Sequence, residues 1–187
     1  MSKKVVEEIR RFVKEESEKP SARYGFEPYE FHLMPMRNYA VKLAKKLNAD
    51  AEIVEIAAWL HDIGSIINGR ENHHIVGAEI AEQKLRELGY SFERVQRIKA
   101  CILNHRGSVN NPRISLEEQI ICDADAVSAF DNIGGLFKAA FIYEELNQKE
   151  AMKSVLSKLR RSWDKLSFQE SRKIIKPKYE AAILLLS

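Results

Sequence analysis

Cysteine is scarce in this 187-residue chain, with only Cys101 and Cys122 present. Both sit in apolar, helix-like surroundings, Ala100-Cys101-Ile102 and Ile121-Cys122, and read as buried free thiols in a reducing compartment. That excludes a disulfide framework and a thiolate-held structural zinc. Long apolar runs are missing too. The best candidate, Ala181 to Leu186, falls far short of the roughly 20 residues that a membrane span needs, so no membrane partner is expected. The N-terminal Met1-Ser-Lys-Lys-Val-Val-Glu-Glu carries charge where a signal peptide needs an apolar stretch, and a cytoplasmic location is the expectation. Charge of one sign is not in excess either. A net +3, scattered along the chain, does not argue for nucleic acid and at most favours a small anionic substrate. Internal repeats, low-complexity segments and alternation of period two are all lacking, which leaves an all-α chain.

What is present is helical periodicity, with apolar residues at i, i+3, i+4 and i+7 in one segment after another. Val5, Ile9, Phe12 and Val13 give a first helix that Lys19-Pro20-Ser21 should stop. A second runs from about Tyr29 to Leu47. Asn48-Ala-Asp50 supplies capping chemistry for a third, from Ala51 to about Ile63, which Gly64 can end. Ile66 to Asn72, with Asn68-Gly69, is irregular and could rim a site. Further helices are expected over His73 to Leu88, closed by Gly89, and over Ser91 to His105, before a polar loop from Gly107 to Pro112. Ser115-Leu-Glu-Glu118 is a capping-box signature for a helix carrying Asp123 and Asp125, which Gly134-Gly135 could break. Ser167-Phe-Gln-Glu170 matches the same signature, and Pro177 reads as punctuation. Leu156, Leu159, Trp163 and Leu166 form a C-terminal stripe that either covers the core or makes a homodimer seam.

All five histidines, His32, His61, His73, His74 and His105, lie in the middle of the chain. His61-Asp62 follows Ile56-Ala-Ala-Trp-Leu60, a stretch apolar enough to be buried nearly all round. A carboxylate there costs several kcal/mol or more without compensation, and a divalent cation shared with an imidazole offsets that cost. A helix cap is the weaker account, because Asp62 lies near the end of the expected third helix, where the dipole disfavours an anion.

His32, then His61-Asp62, then Ala124-Asp125 resembles the ligand order of the HD superfamily of metal-dependent phosphohydrolases. The contexts are similar as well: Ala57-Ala-Trp-Leu-His-Asp-Ile-Gly64 looks like its core motif, and His74-Ile-Val-Gly-Ala78 like its next segment. The likeness covers about Phe26 to Phe130. It implies a single compact multi-helix bundle, with residues 26–130 as the HD core, 1–25 as an N-terminal flank, and 131–187 as a C-terminal helical extension packed on it. It implies a divalent metal on His32, His61, Asp62 and Asp125. Such a mixed N and O set suits Mn, Fe, Ni, Zn or Mg. A water held by the ion loses its proton near neutral pH and can attack phosphorus, so the implied activity is hydrolysis of a phosphoester in a small phosphorylated molecule, a nucleotide or phosphomonoester.

Asp123 competes with Asp125 for the fourth position. Two residues apart on a helix is about 200° of rotation, so the two do not reach one ion together, and the family context favours Asp125. His74 and His105 match places where some relatives put histidines that ligate a second metal or hold the phosphate. With Asp62 they are the expected catalytic groups. His73, turned about 100° from His74, reads as a surface or supporting residue. Arg37 and Arg106 are the expected phosphate-binding groups. Many relatives carry an arginine three residues after the first histidine, where this chain has Pro35, so contacts from that arginine are not assumed. Two other readings stay open: a diiron oxygenase of the same superfamily, and a non-catalytic nucleotide or metal sensor.

Overall fold

The computed structural model describes residues 2–106 and 113–186, and among them there are helices and no strand. The expected loop from Gly107 to Pro112 lies outside the described residues. In chain order come α1 (Ser2–Glu18), a π-helical turn (Tyr29–Leu33), α2 (Met34–Leu47), α3 (Ala51–Leu60), α4 (Ile63–Asn68), α5 (His73–Glu87), α6 (Phe92–Asn104) and α7 (Leu116–Ser128). Then follow α8 (Ile133–Lys138), a second π-helical turn (Ala139–Tyr143), α9 (Gln148–Asp164) and α10 (Gln169–Leu186).

Several boundaries follow from local chemistry. Asn48 ends α2 in the left-handed conformation (φ 55°), and the Asp50 side chain accepts from the Ile53 N–H at 3.2 Å to open α3. Ser115 and Glu118 form the expected capping box at α7. Pro35 has no N–H to give and its ring crowds the preceding turn. The helix entering α2 is widened just there, with the Met34 N–H bonded to Tyr29 O five residues back.

Four expectations fail. Gly64 does not end α3. The chain breaks at His61-Asp62, and Gly64 lies inside α4 because α5 crosses there: a Cβ on Gly64 would collide with the His73 carbonyl oxygen and sit 2.6 Å from Gly77 N. The stretch from Ile66 is therefore helical up to Asn68, with only residues 69–72 outside regular structure. Gly134-Gly135 break nothing, since α7 has already ended at Ser128 and the glycines open α8. Pro177 is inside α10 and does not end it.

Helix α3 is the axis of the bundle. Ile53, Val54, Ile56, Ala57, Ala58, Trp59 and Leu60 are all buried, against residues of α1, α2, α6 and α7. At about 1.5–3 kcal/mol for each large apolar side chain removed from water, this one helix anchors the first core cluster. A second cluster forms where Val155 and Leu159 of α9, Leu166, and Ile175 and Ala182 of α10 meet Ala126, Val127 and Phe130. Helix α7 joins the two, giving Ile120, Ile121 and Ala124 to the first cluster and Ala126 and Val127 to the second. Asp123, almost fully buried, accepts the N–H groups of Ser167 (2.8 Å) and Phe168 (3.0 Å), so α7 supplies the carboxylate that receives amides at the start of α10.

Candidate metal centre

His61 ends α3 and Asp62 starts α4, so the pair occupies a corner between two helices. Its dipole environment is the reverse of the one expected from sequence. Asp62 stands at the N-terminus of α4, which favours an anion, and its side chain makes no capping bond, so the carboxylate is left for the cluster.

Four imidazoles converge on that carboxylate from separate elements: His32 from the π-helical turn, His61, His73 from the first residue of α5, and His105 from the end of α6. On one side, Asp62 Oδ2 lies 3.5 Å from His32 Nε2 and 3.7 Å from His61 Nε2. Asp125 Oδ1, from α7, is 3.5 and 3.9 Å from the same two nitrogens. On the other side, Asp62 Oδ1 lies 3.4 Å from His73 Nε2 and 3.7 Å from His105 Nε2. His32, His61 and Asp62, and separately Asp62, His73 and His105, each place one ligand atom per residue within 4.8 Å of the others.

The tautomers are fixed by the atoms behind each ring. His61 Nδ1 meets Ala58 O at 2.9 Å, His73 Nδ1 meets Arg70 O at 2.8 Å, and His105 Nδ1 meets Ile102 O at 2.5 Å. A carbonyl can only accept, so each Nδ1 carries the proton. Behind His32, the Ser128 hydroxyl donates to Asp125 O (2.8 Å) and therefore accepts from His32 Nδ1 (3.0 Å). In the neutral rings every Nε2 is then a bare lone pair aimed inward. His32 Nε2 and His61 Nε2 face each other at 3.2 Å, as do His73 Nε2 and His105 Nε2. Two lone pairs at that distance repel unless a positive charge sits among them, so the donor set fits divalent cations.

The proton affinities say the same. Burial pulls His61 down to about 4, which keeps it neutral and able to ligate. Burial opposes the charged form of His32 and His105 too, but the hydrogen bond to Asp62, with Asp125 nearby, outweighs it and leaves both raised. For Asp62, burial would raise the carboxyl, yet the surrounding His61, His105 and His32 hold it well below the ordinary range. A carboxylate ringed by imidazoles in this way demands positive charge, and without a metal it holds protons on its neighbours.

Two adjacent histidines exchange places relative to the sequence reading. His73, expected as a surface or supporting residue, is buried in the second set. His74 is outside it, its ring packed against that of His73 at 5.7 Å between centroids and its Nδ1 buried without a partner. Burial, with His73 and Arg106 nearby, lowers its pKa. The packing of Gly77 on Gly64 turns His73 inward, since His73, four residues before Gly77, lies on the same helical face. Arg37 is held away from the cluster by Glu55, which takes its guanidinium (Nε to Oε1 2.8 Å), and by Asn38, which takes another of its donors. Arg106 is partly exposed and close enough to His74 to affect it.

A family model, the HD domain, matches residues 29–129. The chain belongs to the HD-domain family. Among curated proteins it is similar to Ribonuclease Y of Cutibacterium acnes, 36% identical over 101 residues, or 52% of this chain, but it spans only 17% of that relative's length. Bacillus subtilis YpgQ in complex with ADP has the same fold, with a TM-score of 0.73 at 21% identity and coverage of 97% and 93% of the two chains. An HD-superfamily hydrolase from Bacillus thuringiensis superposes with a TM-score of 0.74 at 17% identity, covering 100% and 95%. This HD domain thus has the fold of HD-superfamily hydrolases and carries His/Asp groups that could hold a metal. Among the described residues no helix is long and apolar enough to cross a membrane.

Beyond its histidines, the HD core opens into a small cleft of about 90 Å³ whose walls include His105, Asp125, Arg113, Ser162 and Lys165. Sequence reading missed the last three. Arg113 precedes α7 by three residues, and Ser162 and Lys165 belong to the end of α9, outside any recognisable motif.

Proposed function

We propose that this protein is a metal-dependent phosphohydrolase cleaving a phosphoester of a small phosphorylated molecule, with Asp62 common to two sets of residues that would each hold a divalent ion. The observation that carries the reading is the convergence of four Nδ1-anchored imidazoles, with bare Nε2 atoms, on the two oxygens of that one carboxylate. His32, His61, Asp62 and Asp125 would hold the first ion, and Asp62, His73 and His105 the second. When bound, the ions supply a nucleophilic hydroxide at neutral pH and neutralise charge developing on the phosphoryl oxygens. An imidazole-rich set favours manganese, iron, nickel or zinc over magnesium, which prefers oxygen.

The chain's own groups do the rest. Ala58 O, Arg70 O, Ile102 O and Ser128 Oγ keep the rings in ligating tautomers. His74 and Arg106, beside the second set, meet a phosphoryl oxygen at the edge of the site. YpgQ, which shares this fold, was solved with ADP, and a nucleotide is accordingly the first candidate.

The test uses protein stripped and reloaded with individual divalent metals and screened against nucleotides, phosphomonoesters and phosphodiesters. Phosphate or pyrophosphate release that depends on metal and proceeds without oxygen is expected. Oxygen uptake by an iron-loaded sample would transfer the protein to the oxygenases. Tight ligand binding with full metal occupancy and no product would make it a sensor.

A further inference from the structure

The cleft beside the metal centre differs from the centre in its chemistry. Two of its wall residues, His105 and Asp125, belong to the ligand sets, while Arg113 and Lys165 bring two positive charges and Ser162 a hydroxyl. Ser162 and Lys165 are three residues apart at the end of α9 and so project to one side of it. Arg113 is oriented by its Nε donating to Asn104 O at 3.3 Å. The second core cluster fixes α9 against α7 through Val155 and Leu159, which brings the C-terminal extension to the catalytic side of α7. At about 90 Å³ the space holds about three waters, at ~30 Å³ each, and is far below the roughly 300 Å³ where pockets for drug-sized molecules begin. It excludes a nucleobase and suits a phosphate group. Asp125 would repel an anion there unless a cation had first neutralised it, so occupancy of the cleft is tied to the loaded metal site.

We propose that Arg113, Lys165 and Ser162 form a subsite for a second phosphoryl group, so that within the phosphohydrolase reading the bond cleaved is the P–O–P anhydride carried by a phosphoester such as a nucleoside triphosphate, and not its ester bond. The inference rests on the phosphohydrolase reading and names the substrate class. The scissile phosphorus lies at the ions, and its neighbour lies between Arg113 and Lys165. Water adds its oxygen to the scissile phosphorus, the bridging P–O bond breaks with its electron pair left on the departing phosphate oxygen, and one proton is released. An arginine fork grips phosphate oxygens in pairs, and charge-assisted hydrogen bonds of this kind are worth about tenfold to a hundredfold each in affinity.

The decisive measurement is calorimetric binding of inorganic pyrophosphate and of inorganic phosphate to the manganese-loaded protein, with no turnover needed. Wild type should bind pyrophosphate at least about tenfold more tightly than phosphate. Arg113→Gln/Lys165→Gln should lose about 10- to 100-fold on pyrophosphate and much less on phosphate, and the ratio of kcat/KM for a nucleoside triphosphate over p-nitrophenyl phosphate should fall in parallel. Equal losses for both anions, or no loss, overturn the subsite. Lys165 is exposed, so Lys165→Gln and Lys165→Glu alone decide the matter if the double variant folds poorly, the charge reversal being the more damaging. Selective pyrophosphate binding without hydrolysis of any substrate would keep this subsite and discard the phosphohydrolase reading. Hydrolysis with no preference for a second phosphoryl group would do the opposite.

Discussion

The two halves of the candidate centre share one carboxylate but are held together in different ways. The Oδ2 half joins residues far apart in sequence: His32 and Asp125 meet because α2 packs on α7, and the Ser128 hydroxyl that steadies His32 comes from 96 positions away. The Oδ1 half is made at helix ends. His73 and His105 each lean on a carbonyl three residues back, and the crossing of α4 and α5 at Gly64 and Gly77 sets how near His73 comes to Asp62. One half therefore depends on long-range packing of the bundle, the other on a backbone approach that leaves no room for a methyl group. The first should answer to changes in α7, and the second to changes in α5, with Asp62 common to both.

The largest break is Asp62→Ala, which removes the shared bridge. Both ions should be lost, and turnover should fall on the order of 10³-fold or more while the helical circular dichroism signal persists. Elemental analysis beside activity checks this, and full occupancy with near-native turnover would end the bridging assignment.

His73→Ala should separate the halves. One ion stays with His32, His61, Asp62 and Asp125, the other leaves, and turnover drops by about 10²-fold. His74→Ala should keep both ions and lose less activity. Metal counts in the reverse order would return the second set to the arrangement expected from sequence.

The smallest effect on the metal belongs to Asp123→Ala, although its effect on stability is considerable. Two amides at the start of α10 lose their acceptor, at about 2–4 kcal/mol in total, or a fall in Tm of roughly 5–15 °C. Both ions should remain, whereas Asp125→Ala, two residues along the same helix, should weaken the first site with little thermal cost. Differential scanning calorimetry with elemental analysis compares the pair directly.

Much of the bundle was legible because helical periodicity and capping residues are local signals. The His32, His61-Asp62 and Asp125 pattern could be read because each motif sits in a distinctive context. The choice between His73 and His74 could not be made from periodicity alone, because it turns on where α5 begins. Asn72, left-handed at φ 50°, sets that start, and the helical register then turns His73 inward. Asp62 was placed at the wrong end of a helix because the corner at residues 61–62 interrupts an apolar run that looks continuous. The pairing of Arg37 with Glu55 gave no local signal, because Glu55 is on the neighbouring helix and 18 residues away. Arg113 and Lys165 gave no sequence signal at all, since their meeting depends on how the C-terminal extension docks.

The anchoring of His61, His73 and His105 on carbonyls three residues behind them has a consequence for the order of assembly. Each ring takes its aim from its own segment of chain and not from a partner helix. Rotational freedom is surrendered as the helix ends form, and an incoming ion then meets donors that have little disorder left to lose. A site assembled from such pre-aimed pieces can let its helices breathe apart and close again without having to relearn which nitrogen faces in.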